Sequence, residues 1–253
     1  MENNIFNFSG KKILVTGASS GIGREIAVFL SSLGAQCVIT GRNEERLLKT
    51  VDEIKTVSKG NVNTFFFDFL NTDKIPSFVD GLPILDGAVL NAGVSKVVPV
   101  KFIEEKDCDD IIKINTVSQI LLFKELLKQR KLKKSSSIVF ISSVAGLGEN
   151  AIGTSLYSAS KSAICGFAKG AALEVANKSI RVNTVCPGKV NTKILDSLEN
   201  LSPSEQEGIK QYPLGRYGEP CDISNAVVFL LSDASTWITG IDLIVDGGLH
   251  LKR

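Results

Sequence analysis

Histidine is almost missing: His250, three residues from the end, is the only one in 253 residues. So placed, it is poorly suited to act as a triad base or to build a metal site, and no metal is expected. Paired cysteines are missing too. Cys37, Cys108, Cys165, Cys186 and Cys221 are odd in number, scattered and without a CxxC spacing. Most sit in apolar runs, where a thiol behaves as a small hydrophobe, so they read as free thiols of a reducing cytoplasm. No long hydrophobic run occurs; stretches such as Ala226 to Leu231 and Ile241 to Val245 are strand-sized, and no membrane span is expected. The opening Met1-Glu-Asn-Asn lacks the basic-then-apolar pattern of a secretory leader. Charge of one sign is lacking as well. Lys and Arg number 29 against 27 Asp and Glu, and a net charge of +2 implies neither nucleic acid nor an anionic membrane as partner.

What remains is a regular alternation of short aliphatic runs and helix-spaced segments. Strands are predicted at Lys12 to Thr16, Gln36 to Thr40, Val62 to Phe67, Leu85 to Leu90, Ser137 to Ser143, Ile180 to Cys186 and Ile241 to Val245. Between them lie helical patterns, including a long one over Asp107 to Lys131 and another opening at Tyr157. Between Phe69 and Leu85 there is room for little more than one turn, interrupted by Pro76 and Pro83. Such alternation predicts an α/β fold: one doubly wound, Rossmann-type domain over 1–253, with about seven parallel strands and helices on both faces. No linker, repeat or low-complexity segment interrupts it.

In open parallel sheets ligands lie across the carboxyl ends of the strands. After the first strand comes Gly17-Ala-Ser19-Ser20-Gly21-Ile22-Gly23, a turn whose glycines let backbone N–H groups approach a pyrophosphate at a helix N-terminus. The spacing is G-x-x-x-G-x-G rather than G-x-G-x-x-G. The second strand ends in Thr40-Gly41-Arg42, with no carboxylate before Glu44. An acid there would bond the ribose 2′-hydroxyl, whereas a guanidinium suits a 2′-phosphate, so Arg42 favours NADP(H) over NAD(H). Asp68 and Phe69 follow the third strand, Asn91-Ala92-Gly93 the fourth, Ser142 and Ser143 the fifth, and Pro187-Gly188 the sixth.

Tyr157 and Lys161 stand four residues apart in a helical run, hence on one face. A cation at about 4 Å and an effective dielectric of about 20 is worth roughly 4 kcal/mol, which would bring a phenol of pKa about 10 near 7. Such a phenol both gives and takes a proton at neutral pH.

Together these motifs resemble the short-chain dehydrogenases/reductases over essentially the whole chain. Thr16 to Gly23 is similar to that family's glycine motif and Asn91-Ala92-Gly93 to its second signature. Ser143, fourteen residues before Tyr157, falls at its active-site serine, with Ser142 the less favoured choice, and Asn115 in Ile114-Asn-Thr116 matches its helix asparagine. Pro187-Gly188, with Val190 and Thr192, resembles the segment that holds the nicotinamide. The resemblance implies that Tyr157 exchanges a proton with a carbonyl or alcohol oxygen during hydride transfer, and that Ser143 orients the carbonyl. It further implies that Lys161 binds the nicotinamide ribose and lowers the Tyr157 pKa, while Asn115 holds a water leading to Lys161. Residues from about 192 to 218, with Ile194, Leu195, Leu198 and Leu201, would form a substrate lid. Leu90 departs from the asparagine many relatives carry there, and the segment Thr72 to Asp86 is shorter than a full family helix.

Within the family the nearest general resemblance is to the 3-oxoacyl-thioester reductases, which implies an acyl-carrier-protein substrate docked on basic residues near the pocket mouth. Lys128, Arg130, Lys131, Lys133, Lys134 and Lys178 are candidates for that dock, or a solvated face at a helix end. Sugar, polyol, steroid and small-ketone substrates stay open. A regulatory nucleotide binder without turnover would be expected to lack one of Asn115, Ser143, Tyr157 and Lys161, and all four are present. The resemblance also implies a homotetramer or homodimer built on the two long helices and the C-terminal strand.

Overall fold

A computed structural model describes residues 5–58, 60, 62–192 and 207–252. Residues Ile194, Leu195, Leu198 and Leu201 of the expected lid lie outside the described residues. Seven strands run β1 (Lys12–Thr16), β2 (Gln36–Gly41), β3 (Asn63–Phe66), β4 (Leu85–Leu90), β5 (Leu132–Ile141), β6 (Arg181–Pro187) and β7 (Asp242–Val245). They form one sheet in the order β3-β2-β1-β4-β5-β6-β7, and every pairing is parallel. The order reverses between β1 and β4, the switch point at which open α/β sheets leave a crevice.

Period-2 alternation divides the strand side chains between two faces. Ile13, Val15, Ile39, Val89, Val139 and Val185 pack under α1 (Gly21–Ser32), α2 (Glu44–Val57) and the later helix Pro220–Leu231. Leu14, Val38, Ala88, Leu90, Ile138, Phe140 and Val182 face α3 (Ile75–Asp80), α5 (Ser118–Lys128) and α6 (Ser155–Val175) on the other side. Both faces are covered, which is why the strands read as nearly continuous apolar runs. Leu90, 2% exposed, is simply part of this second core.

Two elements differ from expectation. The long helix over 107–131 is α4 (Glu105–Ile112), a π-helical turn over Lys113–Val117, and then α5. Apolar spacing continues through the wider turn, so the sequence pattern does not announce it. Strand β5 begins five residues earlier than Ser137, in the polar segment Leu132–Ser136 that carries no hydrophobic alternation. A register shift against β4 between Leu85 and Gly87 absorbs that segment, and Ser142 and Ser143 fall just beyond the strand's end.

The basic run sits at the amino end of β5, whereas the crevice lies at the carboxyl ends. Lys131 donates to the carbonyls of Asp80 (2.8 Å), which ends α3, and of Leu82 (2.7 Å) just after it, and Lys133 pairs with Asp86 at 2.7 Å. On a single chain these cations close a helix and a strand edge and do not flank the crevice. Among the described residues no helix is long and apolar enough to cross a membrane.

Candidate active site

The turn after β1 is tied to the turn after β4. Thr16 Oγ1 accepts from the amides of Asn91 and Ala92, both at 2.9 Å, and Asn91 Nδ2 donates to the carbonyls of Thr16 (3.0 Å) and Gly17 (3.3 Å). That closeness dictates glycine. A Cβ at Gly23 would lie 2.4 Å from both Asn91 Nδ2 and the Gly17 carbonyl oxygen, and Gly17 has φ +67° with Ala92 Cα 2.9 Å from its missing Cβ. Helix α1 thus begins at the crevice floor. Its cap, Ser20, makes no side-chain bond to the first turn, and that turn carries no acid. A helix N-terminus left in this condition suits a phosphate.

Around it lies a cleft of about 350 Å³, lined by all of the glycine-motif residues predicted to bind cofactor: Gly17, Ser19, Ser20, Gly21, Ile22 and Gly23. Arg42, Asp68, Phe69, Asn91, Ala92 and Gly93 line it as well. So does Arg46, which the sequence reading missed. Arg46 lies in the first turn of α2, where the Asn43 side chain accepts from its amide at 2.8 Å, and one cleft wall thereby carries two guanidinium side chains. The signal available was a second arginine in the first turn of the helix that follows Arg42.

A second cleft of about 440 Å³ continues the first, sharing Ile22, Asn91, Gly93, Val94 and Thr192 with it. Ser143, Tyr157, Lys161, Pro187, Gly188 and Val190 line this part. Strand β5 delivers the serines, α6 the tyrosine and lysine, and β6 the Pro-Gly turn. The two serines separate cleanly. Ser142 donates to the Lys161 carbonyl at 3.0 Å, holding α6 to the strand end. Ser143 caps the following turn through Ala145 N at 3.2 Å and donates to the Pro187 carbonyl at 3.5 Å, close enough to Tyr157 to act on its phenol.

Asn115 does not line either cleft; it is fully buried behind them. Its Oδ1 accepts from Val94 N at 2.8 Å, and its Nδ2 donates to Val94 O at 2.9 Å and Ser160 Oγ at 3.0 Å. The π turn carries the side chain to the place where the loop after β4 and helix α6 meet. π turns recur at functional sites.

Electrostatics correct one expectation. Lys161 is 5% exposed and donates to the Ile141 carbonyl at 2.8 Å, with its Nζ 5.9 Å from the centre of the Tyr157 ring. Burial pushes the ammonium down from 10.5 to about 8. Burial likewise raises the Tyr157 phenol above 10, with the Ser143 hydrogen bond pulling the other way. In this geometry burial is the largest influence on the phenol and raises it, so it is not brought near 7. Among the described residues the buried ammonium has one hydrogen-bond acceptor for its three donors, and it lines the cleft. Glycines that no Cβ could replace, an open helix N-terminus, paired arginines and a hydrogen-bond-hungry cation together fit a dinucleotide lying from α2 to α6.

Comparison with known proteins bears on this site. The model of a family described as Enoyl-(Acyl carrier protein) reductase matches residues 17–250. A 3-oxoacyl-[acyl-carrier-protein] reductase FabG of Rickettsia felis is 35% identical, covering 97% of this chain and 99% of its own. A short-chain type dehydrogenase/reductase from Mycobacterium marinum superposes with a TM-score of 0.87 at 30% identity, covering 97% of both chains. A structure from Agrobacterium tumefaciens with bound NADP, proposed to be a 2-deoxy-D-gluconate 3-dehydrogenase, gives 0.86 at 32% identity over 99% of this chain and 100% of its own.

Proposed function

The chain belongs to the short-chain dehydrogenase/reductase family, as an oxidoreductase that works with a nicotinamide cofactor on C=O or CH–OH groups, and from that premise we propose that it is an NADPH-dependent reductase of 3-oxoacyl thioesters carried on an acyl carrier protein. The observation that carries this reading is the convergence of Ser143, Tyr157 and Lys161 on a cleft continuous with the glycine groove. When bound, the reduced nicotinamide supplies the hydride. Tyr157, a phenol protonated at neutral pH, gives its proton to the ketone oxygen. Ser143 holds that oxygen from the other side, a donor placed where charge develops. Lys161 stabilises the phenolate that remains, and Asn115 fixes the spacing of α6 from the loop after β4 and so the place of both. The cofactor-binding residues are those along the two clefts, Gly17 to Gly23 through Thr192, with Arg42 and Arg46 on the 2′-phosphate.

NADP bound in the Agrobacterium structure and the paired arginines support the cofactor choice, and the name of the Rickettsia relative supports the thioester. The reading needs one domain over 1–253, with 192–218 as the lid, and a cytoplasmic homotetramer or homodimer. Fully exposed Trp237 and Leu173, 81% exposed on α6, support assembly. A sugar or polyol alcohol is the second reading, favoured by the description of the Agrobacterium structure.

NADPH consumption against an acetoacetyl thioester, a ketose panel and a steroid ketone tests the choice. Turnover of the thioester is expected; turnover confined to a ketose would select the second reading. Tyr157→Phe is expected to abolish turnover while sparing cofactor binding, and unchanged turnover would remove Tyr157 from the mechanism.

A further inference from the structure

Behind the groove wall three ligand-type side chains meet from three separate elements: Cys165 on α6, Cys186 on β6 and Asp242 at the start of β7. The two sulfurs lie 3.9 Å apart and both cysteines are buried. With a carboxylate oxygen of Asp242, the three donor atoms all lie within 4.8 Å of one another. Geometry separates the uses such a cluster has. A disulfide needs about 2.0 Å between sulfurs. Two thiolates on one tetrahedral zinc, with Zn–S about 2.3 Å, stand about 3.8 Å apart, and a carboxylate oxygen on the same ion sits about 3.5 Å from each. At 3.9 Å the sulfurs are too far apart for a disulfide and at the spacing two thiolates on one ion would take, as well as that of a thiol–thiol contact.

The surroundings agree. The Thr184 hydroxyl donates to Asp242 Oδ1, and Lys169 pairs with Oδ2. A carboxylate held on both oxygens is oriented as metal-ligating carboxylates usually are. Ser142 Oγ lies 3.2 Å from the Cys165 sulfur and Thr184 Oγ1 lies 3.7 Å from that of Cys186, so hydroxyls border the remaining side. Charge balances as well: two thiolates and one carboxylate offset a divalent ion together with the Lys169 ammonium.

We infer that Cys165, Cys186 and Asp242 form a site for a thiophilic divalent cation, Zn²⁺. Binding forms two Zn–S bonds and one Zn–O bond and releases two thiol protons to solvent, with no change of oxidation state. The ion enters on the side of Asp242, whose side chain is 11% exposed. It is structural in character, because it lies behind Ser142 and ahead of Pro187 without facing the cleft, and it ties α6, β6 and β7 together.

The test uses the full chain, stripped with a chelator and titrated with Cd²⁺ as a spectroscopic probe. One ion per chain is expected, with the ultraviolet cadmium–thiolate band of two sulfurs, and Zn²⁺ should displace it. Cys165→Ser and Cys186→Ser should each abolish the band, while Cys108→Ser and Cys221→Ser, at exposed positions, should keep it. No band, or a band lost only in the Cys108 or Cys221 variant, would overturn the assignment. Should a core serine unfold the chain, zinc-edge X-ray absorption on the unsubstituted protein decides. Two sulfurs at about 2.3 Å uphold the site, and a shell without sulfur ends it.

Discussion

Replacing Lys161 by Met should stabilise the protein while destroying its proposed chemistry. The buried ammonium titrates at about 8 against 10.5 for a free lysine, so the folded chain binds fewer protons than the unfolded chain between those values. Stability therefore rises with pH across that window, and below pH 8 the buried charge is a fixed penalty. At pH 7 the penalty is about 3 kcal/mol, shrinking to about 1 kcal/mol at pH 9.5. Methionine has similar length and no charge, but its substitution forfeits the bond to the Ile141 carbonyl, worth about 1 kcal/mol. The net gain is about 2 kcal/mol at pH 7, or ~4–8 °C in Tm for a chain of this size, and it nearly disappears at pH 9.5. Urea unfolding of both proteins at the two pH values, without added cofactor, measures it. A variant less stable at pH 7, or a difference that does not change between the two pH values, would refute the claim that burial governs this lysine. Turnover of the variant should be lost under all conditions, the usual opposition between stability and function at a strained site.

Arg42→Ala and Arg46→Ala should each raise the KM for NADPH by ~10–100-fold, the worth of a charge-assisted hydrogen bond, and leave that for NADH nearly unchanged; equal effects on both would remove the 2′-phosphate contact. Gly23→Ala drives a methyl to 2.4 Å from Asn91 Nδ2 and the Gly17 carbonyl, so a loss of about 1–3 kcal/mol in stability and a loss of NADPH binding by fluorescence titration are expected. Asn115→Ala strips partners from Val94 and Ser160. It should cost about 1–3 kcal/mol in denaturant unfolding and reduce kcat more than it raises the cofactor KM; an unchanged kcat would show that its bonds do not hold the site.

Local patterns made much of this molecule readable in advance. Seven strands were legible because apolar residues must alternate or run together wherever a sheet is covered on both faces, and the glycine turn because only glycine tolerates the approach of Asn91 to Gly17 and Gly23. Tyr157 and Lys161 declared their common face through helical spacing alone. The strand ends then placed Arg42, Asp68, Asn91, Ser143 and Pro187 on one edge, since parallel strands share a direction.

What only the tertiary structure decided are matters of contact between distant residues and of burial. The π turn at Asn115, the bonds of Ser142 to the Lys161 carbonyl and Ser143 to the Pro187 carbonyl, and the meeting of Cys165 with Cys186 depend on pairings across the chain that no local period encodes. The Lys161–Tyr157 spacing likewise announced a shared face but not the burial that raises the phenol and lowers the ammonium, because the depth of a side chain is set by everything packed around it. Chain order also left the basic run beside the helix end without saying which end of the sheet it serves; the direction of β5 puts it opposite the groove.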